Sequence, residues 1–222
     1  AEFPMLASAE ILDEQPGVLR EIAKVVTLDD YPFLRDYALG TSQLSFADPD
    51  LKGLTILSLI SGLEMMSETA RKVVPRRRVA QIDNLRAQRW VGFERGAVRV
   101  IIRAERIAWP DAQYAAVKVQ LRDDSPNSAY TWPIIEATIL LTAAGSVSHP
   151  IQPPPLSNPR PVNWSGHEIY PDRLFHGSGL RIMRHVDLWS EEGIDFEIEV
   201  PGRDDAVRYT RIPLFSIWPR LL

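Results

Sequence analysis

The stretch from Leu54 to Val73, LTILSLISGLEMMSETARKV, decides how the rest of the chain must be arranged. Ile56, Leu59, Ile60, Leu63, Met66 and Ala70 recur at three- and four-residue spacing, which predicts a helix with one apolar stripe. Leu57, Met65 and Val73 widen the stripe until its first half is apolar nearly all round. Such a helix must be buried. It is too short for a membrane span and carries Glu64 and Glu68, so protein has to bury it.

The covering layer is predicted downstream. Pro75 and Arg76-Arg77-Arg78 end the helix, the arginines reading as a solvated turn. Four β-like runs follow: Val79 to Glu94, Ala97 to Ile107, Tyr114 to Arg122 and Ile134 to Leu141. Val98, Val100 and Ile102 alternate with Arg99, Ile101 and Arg103, and Ala115, Val117, Val119 and Leu121 alternate with Ala116, Lys118 and Gln120, the period of a half-buried strand. Upstream, Val18 to Leu28 reads as a strand or short helix running into a turn at Asp29-Asp30-Tyr31-Pro32, and Thr41 to Gly53 reads as a loop. The order fits an α+β unit over 1–148.

From Gly145 the character changes. Prolines at 150, 153, 154, 155, 159, 161 and 171 predict an extended linker over 149–172 that joins no central sheet. Beyond it, over 173–222, Leu180 to Val186 and Ile194 to Val200 read as strands, with Phe196, Ile198 and Val200 on one face. No second long apolar helix follows, so one unit reads as whole and its partner as cut short.

The chain has 222 residues, 45% of them hydrophobic, enough for one large domain or two small ones. Its net charge is −4, with Arg 21 times and Lys four times; acids outnumber bases, which argues against a nucleic-acid partner. With no cysteine, disulfides, thiolate metal sites and a cysteine nucleophile are excluded. No recognisable His/Asp/Glu metal spacing or glycine-rich phosphate loop occurs. No signal peptide or membrane span is apparent, so the cytoplasm is the expected location. Ala1-Glu2-Phe3 reads as a cloning remnant and the chain as a piece of something larger. The six tryptophans, Trp90, Trp132, Trp164 and Trp218 among them, read as core and interface filler.

Four stretches carry a resemblance to a known family: TLDDYPFLRDYALG (Thr27 to Gly40), the LEMM helix, IDNLRAQRWVGFE (Ile82 to Glu94) and YPDRLFHGSGLRIMRHV (Tyr170 to Val186). In that order they resemble the dehydratase domains of type I polyketide synthases and polyunsaturated-fatty-acid synthases. The resemblance implies a double hot-dog, each unit an antiparallel sheet wrapped around a long helix, the second here incomplete. It also implies syn elimination of water from a β-hydroxyacyl chain carried on the phosphopantetheine of an acyl carrier protein, with neighbouring synthase domains and a second copy as partners and no further cofactor. In the family a histidine of the first unit faces an aspartate of the second unit's helix.

The histidine position falls on Tyr37. A phenol of pKa ~10 keeps its proton at neutral pH, so it can donate but not abstract. The four histidines, His149, His167, His176 and His185, all lie after the first unit, and the carboxylate position would follow Leu222. The family's HxxxGxxxxP pattern is also degraded, with Thr41 at its glycine. Tyr37 therefore reads as a filler of a vacated histidine site, and the domain as a pseudo-dehydratase with a structural or acyl-holding role. The alternative is an active hot-dog enzyme, either a dehydratase with a non-standard base or a thioesterase using Glu64, whose burial would raise its pKa. Asp36 could orient Tyr37. His176 could orient the phosphopantetheine arm or serve a strand end, and His176, Gly177, Leu57 and Ile60 are the expected substrate contacts.

Overall fold

The computed structural model describes residues 3–39, 47, 53–124, 132–143, 155–170, 174, 176–177 and 181–199. A six-stranded antiparallel sheet is built from β1 (Glu10–Gln15), β2 (Leu19–Thr27), β5 (Arg77–Ala87), β6 (Ala97–Ile107), β7 (Ala115–Asp123) and β8 (Ile135–Ala143). Their order across it is β1-β2-β6-β7-β8-β5. The helix α1 (Leu59–Val73) touches β2, β5, β6, β7 and β8, and every residue from 61 to 70 is buried. This is the hot-dog arrangement.

Local chemistry explains how the layers meet. Along β6, Val98, Val100, Ile102 and Ala104 are buried against α1, while Arg103 turns outward to Glu21 of β2, 3.1 Å away. Arg122 of β7 reaches the same carboxylate at 2.7 Å, so the outer face is laced by cross-strand charge. Gly62 lets the helix pack closely on the sheet: a methyl group there would collide with the Ile135 side chain of β8.

The helix begins at Leu59, five residues later than its spacing predicts. Ser58 caps it, its Oγ accepting from Ser61 N–H at 3.2 Å. The preceding residues are extended: Leu54–Thr55 forms β4, paired with β3 (Ala38–Leu39), and the N–H groups of Ile56 and Leu57 donate to Tyr37 O and Val91 O. A strand threaded between two backbone segments buries Ile56 and Leu57 side by side, and this mimics an all-round apolar helix.

Other expectations are also revised. Only Arg76 of the arginine triplet sits in the turn, with positive φ; Arg77 and Arg78 open β5, and Arg77 donates to Leu141 O at 3.2 Å. β5 stops at Ala87, short of Glu94. Trp90 and Trp132 are 58% and 67% exposed, so neither is core. The acidic β1 has no counterpart in the expectations, because all six of its residues are exposed and carry no alternation.

Part of the expected linker is a strand. β9 (Arg160–Ser165), containing Pro161, lies at the edge of a three-stranded sheet of order β11-β10-β9, with β10 (Met183–Ser190) and β11 (Gly193–Ile198). An edge strand tolerates a residue without an N–H. The short α2 (Gly166–Ile169) follows, closed by a capping box between Ser165 and Glu168. Phe196, expected on a half-buried face, is 41% exposed. Ile169, Tyr170 and Val186 form a small second core. His149, Gly40, Thr41, prolines 150–154, Pro171, Trp218 and residues 200–222 lie outside the described residues, as does the side chain of His167.

Candidate functional site

The site begins at a 3-10 turn, Pro32–Asp36, with Tyr31 at its N-cap and Pro32 at the first turn position, where the missing N–H costs nothing. Tyr37 closes the turn, its N–H donating to Leu34 O at 3.0 Å, while its own carbonyl accepts from Ile56 N–H at 3.1 Å. Its backbone is thus fixed between the turn and the root of α1.

A segment far along the chain is fastened to the same place. Gly177 N–H donates to Asp36 O at 2.8 Å, and this sets the His176 ring 5.3 Å from the Tyr37 ring at an angle of 59°. Tyr170 also stands near His176, its ring centre 6.4 Å away and edge-to-face at 89°. Arg181 covers Tyr170, its guanidinium 5.5 Å from the ring centre, and its Nε donates to His176 O at 3.3 Å. The Tyr170 hydroxyl accepts from Met183 N–H at 3.3 Å. Two tyrosine rings therefore stand against the imidazole, and Arg181 packs on one of them.

Burial shifts both rings toward neutrality. It pushes the Tyr37 phenol up, so the proton stays on, and the His176 imidazole down, so the ring stays uncharged at neutral pH. A neutral phenol donates; a neutral imidazole can also accept.

Tyr37, His176 and Gly177, named separately from sequence, are thus brought together with Asp36. Leu57 is buried in the extended segment before α1, and Ile60 is half-buried on the first turn of the helix. Glu64 is buried on α1 at 4% exposure, and its charge acts on Glu68 one turn later. Burial raises the pKa of Glu68, which sequence reasoning passed over, to about 8. Its place four residues beyond Glu64 on an otherwise buried helix was the available signal. Tyr170 and Arg181 were also missed, since nothing in their spacing ties them to Tyr37. Among the described residues no cluster of three His, Asp or Glu could hold a metal ion, and no helix is long and apolar enough to cross a membrane.

No protein-family model matches the sequence, and no curated protein matches it. Solved structures do. The dehydratase domain from the CurF module of the curacin polyketide synthase superposes with a TM-score of 0.56 at 9% identity, over 83% of this chain and 62% of that one. A dehydratase structure bearing on substrate selection in the borrelidin and fluvirucin polyketide synthases gives 0.47 at 19% identity, over 85% and 63%. The dehydratase domain from the terminal module of the rifamycin polyketide synthase gives 0.48 at 16%, over 89% and 66%. The chain spans a little under two thirds of the length of these three structures. The first of them carries the assignment: this chain has the hot-dog fold of polyketide-synthase dehydratase domains.

Proposed function

We propose that this chain is a dehydratase-like unit of a polyketide or polyunsaturated-fatty-acid synthase that has lost histidine-initiated elimination and serves a structural, acyl-holding role. Elimination needs a base for the α-proton and an acid for the departing hydroxyl. Tyr37 stands at the position the resemblance gives to the base, and it is a phenol whose pKa burial raises. That single observation carries the reading. Tyr37 and His176 would then act as hydrogen-bonding groups toward the acyl thioester, with Leu57 and Ile60 as apolar contacts. The acyl group would arrive on the phosphopantetheine of a carrier protein, with neighbouring synthase domains and a second copy of the chain as the other partners.

One observation favours a second reading. His176 is held neutral at physiological pH and could itself accept a proton, which would make the chain an active dehydratase with a non-standard base.

The test offers the protein β-hydroxyacyl and enoyl thioesters on carrier protein and follows dehydration, hydration and thiol release, with acyl-thioester binding measured alongside. Binding without turnover, weakened in Tyr37→Phe and His176→Gln, is the expected result. Water loss well above buffer, abolished in His176→Gln, would establish the second reading instead. Thiol release lost in Glu64→Ala would identify a thioesterase.

A further inference from the structure

Lys24 is a buried lysine in a chain that otherwise relies on arginine. The sequence has 21 arginines and four lysines, Lys24, Lys52, Lys72 and Lys118. Lys72 and Lys118 are exposed, whereas Lys24, on β2, is 5% exposed. Its Nζ donates to Ala7 O and lies 5.7 Å from the ring centre of the fully buried Tyr31. Among the described residues no carboxylate forms an ion pair with it. The residue type matters here: a guanidinium keeps its proton in any protein, but a lysine relieved of its proton is a nucleophile.

Lys24 also faces a cavity. A crevice of about 330 Å³ opens beside β2, and Lys24 forms part of its wall together with Ala7, Ala23 and Val25. Ser8, Thr27 and Asp30 supply polar groups to the same wall. Its other cation, Arg99, is already committed, to Glu10 at 3.5 Å and to Asp124. A reagent that enters the crevice therefore meets one amine whose charge has a single carbonyl acceptor.

We propose that Lys24 is an acyl-acceptor site, its amine attacking the carbonyl of an acyl thioester in the crevice so that the chain becomes acylated on Nζ. The C–N bond forms, the C–S bond breaks, and the departing thiolate takes up the proton that the nitrogen sheds. One amide and one thiol thus replace one amine and one thioester. The surroundings favour the free amine: burial lowers the pKa of the ammonium below the ordinary 10.5, and the charge of Asp30 offsets this only in part. They also suit the product. A secondary amide keeps one N–H for Ala7 O, no ion pair is lost, and the crevice has room for a short acyl group. That the donor in the working protein is a carrier-bound thioester rests on the synthase reading above; the reactivity of Lys24 does not.

The full chain is treated at pH 7.5 with the small uncharged thioester S-acetyl-N-acetylcysteamine, and acetyl groups are mapped on its peptides by mass spectrometry over time. An exposed lysine is a free amine in only about one molecule in a thousand at that pH. Lys24 is expected to be acetylated several-fold faster than Lys72 and Lys118 in the same sample. An equal or slower rate at Lys24 overturns the proposal. Unfolding in urea should abolish the difference, and a preference that persists there overturns it too, because the cause would then be local sequence. Val25→Trp, at a position on the crevice wall that is 49% exposed, should slow Lys24 and leave Lys118 unchanged. An undiminished rate at Lys24 in that variant overturns the crevice as the route. Failure of the synthase reading shows separately, as labelling of Lys24 by the small thioester with none from the same acyl group on a carrier protein.

Discussion

Gly177 and Asp36 meet backbone to backbone, the N–H of one 2.8 Å from the carbonyl of the other, and this bond fastens His176 beside Tyr37. The junction has no room for a side chain. A Cβ on Gly177 would lie 2.8 Å from the Cβ of Asp36, which is fixed to the backbone and cannot swing aside. Gly177→Ala is therefore expected to part the two segments, at a cost of about 1–3 kcal/mol. Urea unfolding and loss of the Tyr37 to His176 ring contact in NMR spectra would show it. An unchanged contact would mean that the bond does not position the imidazole.

The His176 titration follows from its surroundings. Burial lowers its pKa in the folded chain below the 6.5 of a free imidazole. The unfolded state then binds the proton more readily, so stability from this group is full above that value and declines as pH falls through the folded pKa. Following the ring protons by NMR should give a midpoint below 6.5 in the native protein. A midpoint at or above it would contradict the buried setting.

Ser58→Ala removes the cap of α1, leaving the Ser61 N–H without its 3.2 Å acceptor and Ser61 Oγ without its 2.7 Å partner. The expected loss is about 1 kcal/mol, read as a lowered unfolding midpoint at constant denaturant slope. Ser58→Asp, which restores an acceptor at the N-cap, should recover most of it.

Met66 and Trp132 separate buried from exposed apolar surface. Met66, with no exposure at the middle of α1, should cost about 2–5 kcal/mol on replacement by Ala. Trp132, 67% exposed, should change stability by no more than about 0.5 kcal/mol on replacement by Ser. A large loss at Trp132 would reveal a covered surface there.

The sheet was legible where one face of a strand is wet. Ala97–Ile107 has the bounds its alternation predicts, and β7 and β8 begin one residue later than theirs and end one and two residues later. Periodicity failed where both faces share an environment. β1 is exposed throughout, and residues 54–57 pass between backbone segments, so neither stretch carries the contrast on which a period depends. Pro161 suggested a linker because proline cannot donate to a ladder, yet at the edge of a sheet one side of the strand makes no such demand.

The amino-acid sequence by itself determined that a long apolar helix would need a sheet to enclose it, and that no histidine precedes residue 149, because composition and local periodicity are properties of a chain before it folds. Only the tertiary structure decided that His176 lies against Tyr37 and that Glu68 holds the backbone of Met5 and Leu6. Both contacts join distant segments, and the second uses main-chain N–H groups that almost every residue possesses. Burial then turns that proximity into chemistry by shifting which of these groups keeps its proton.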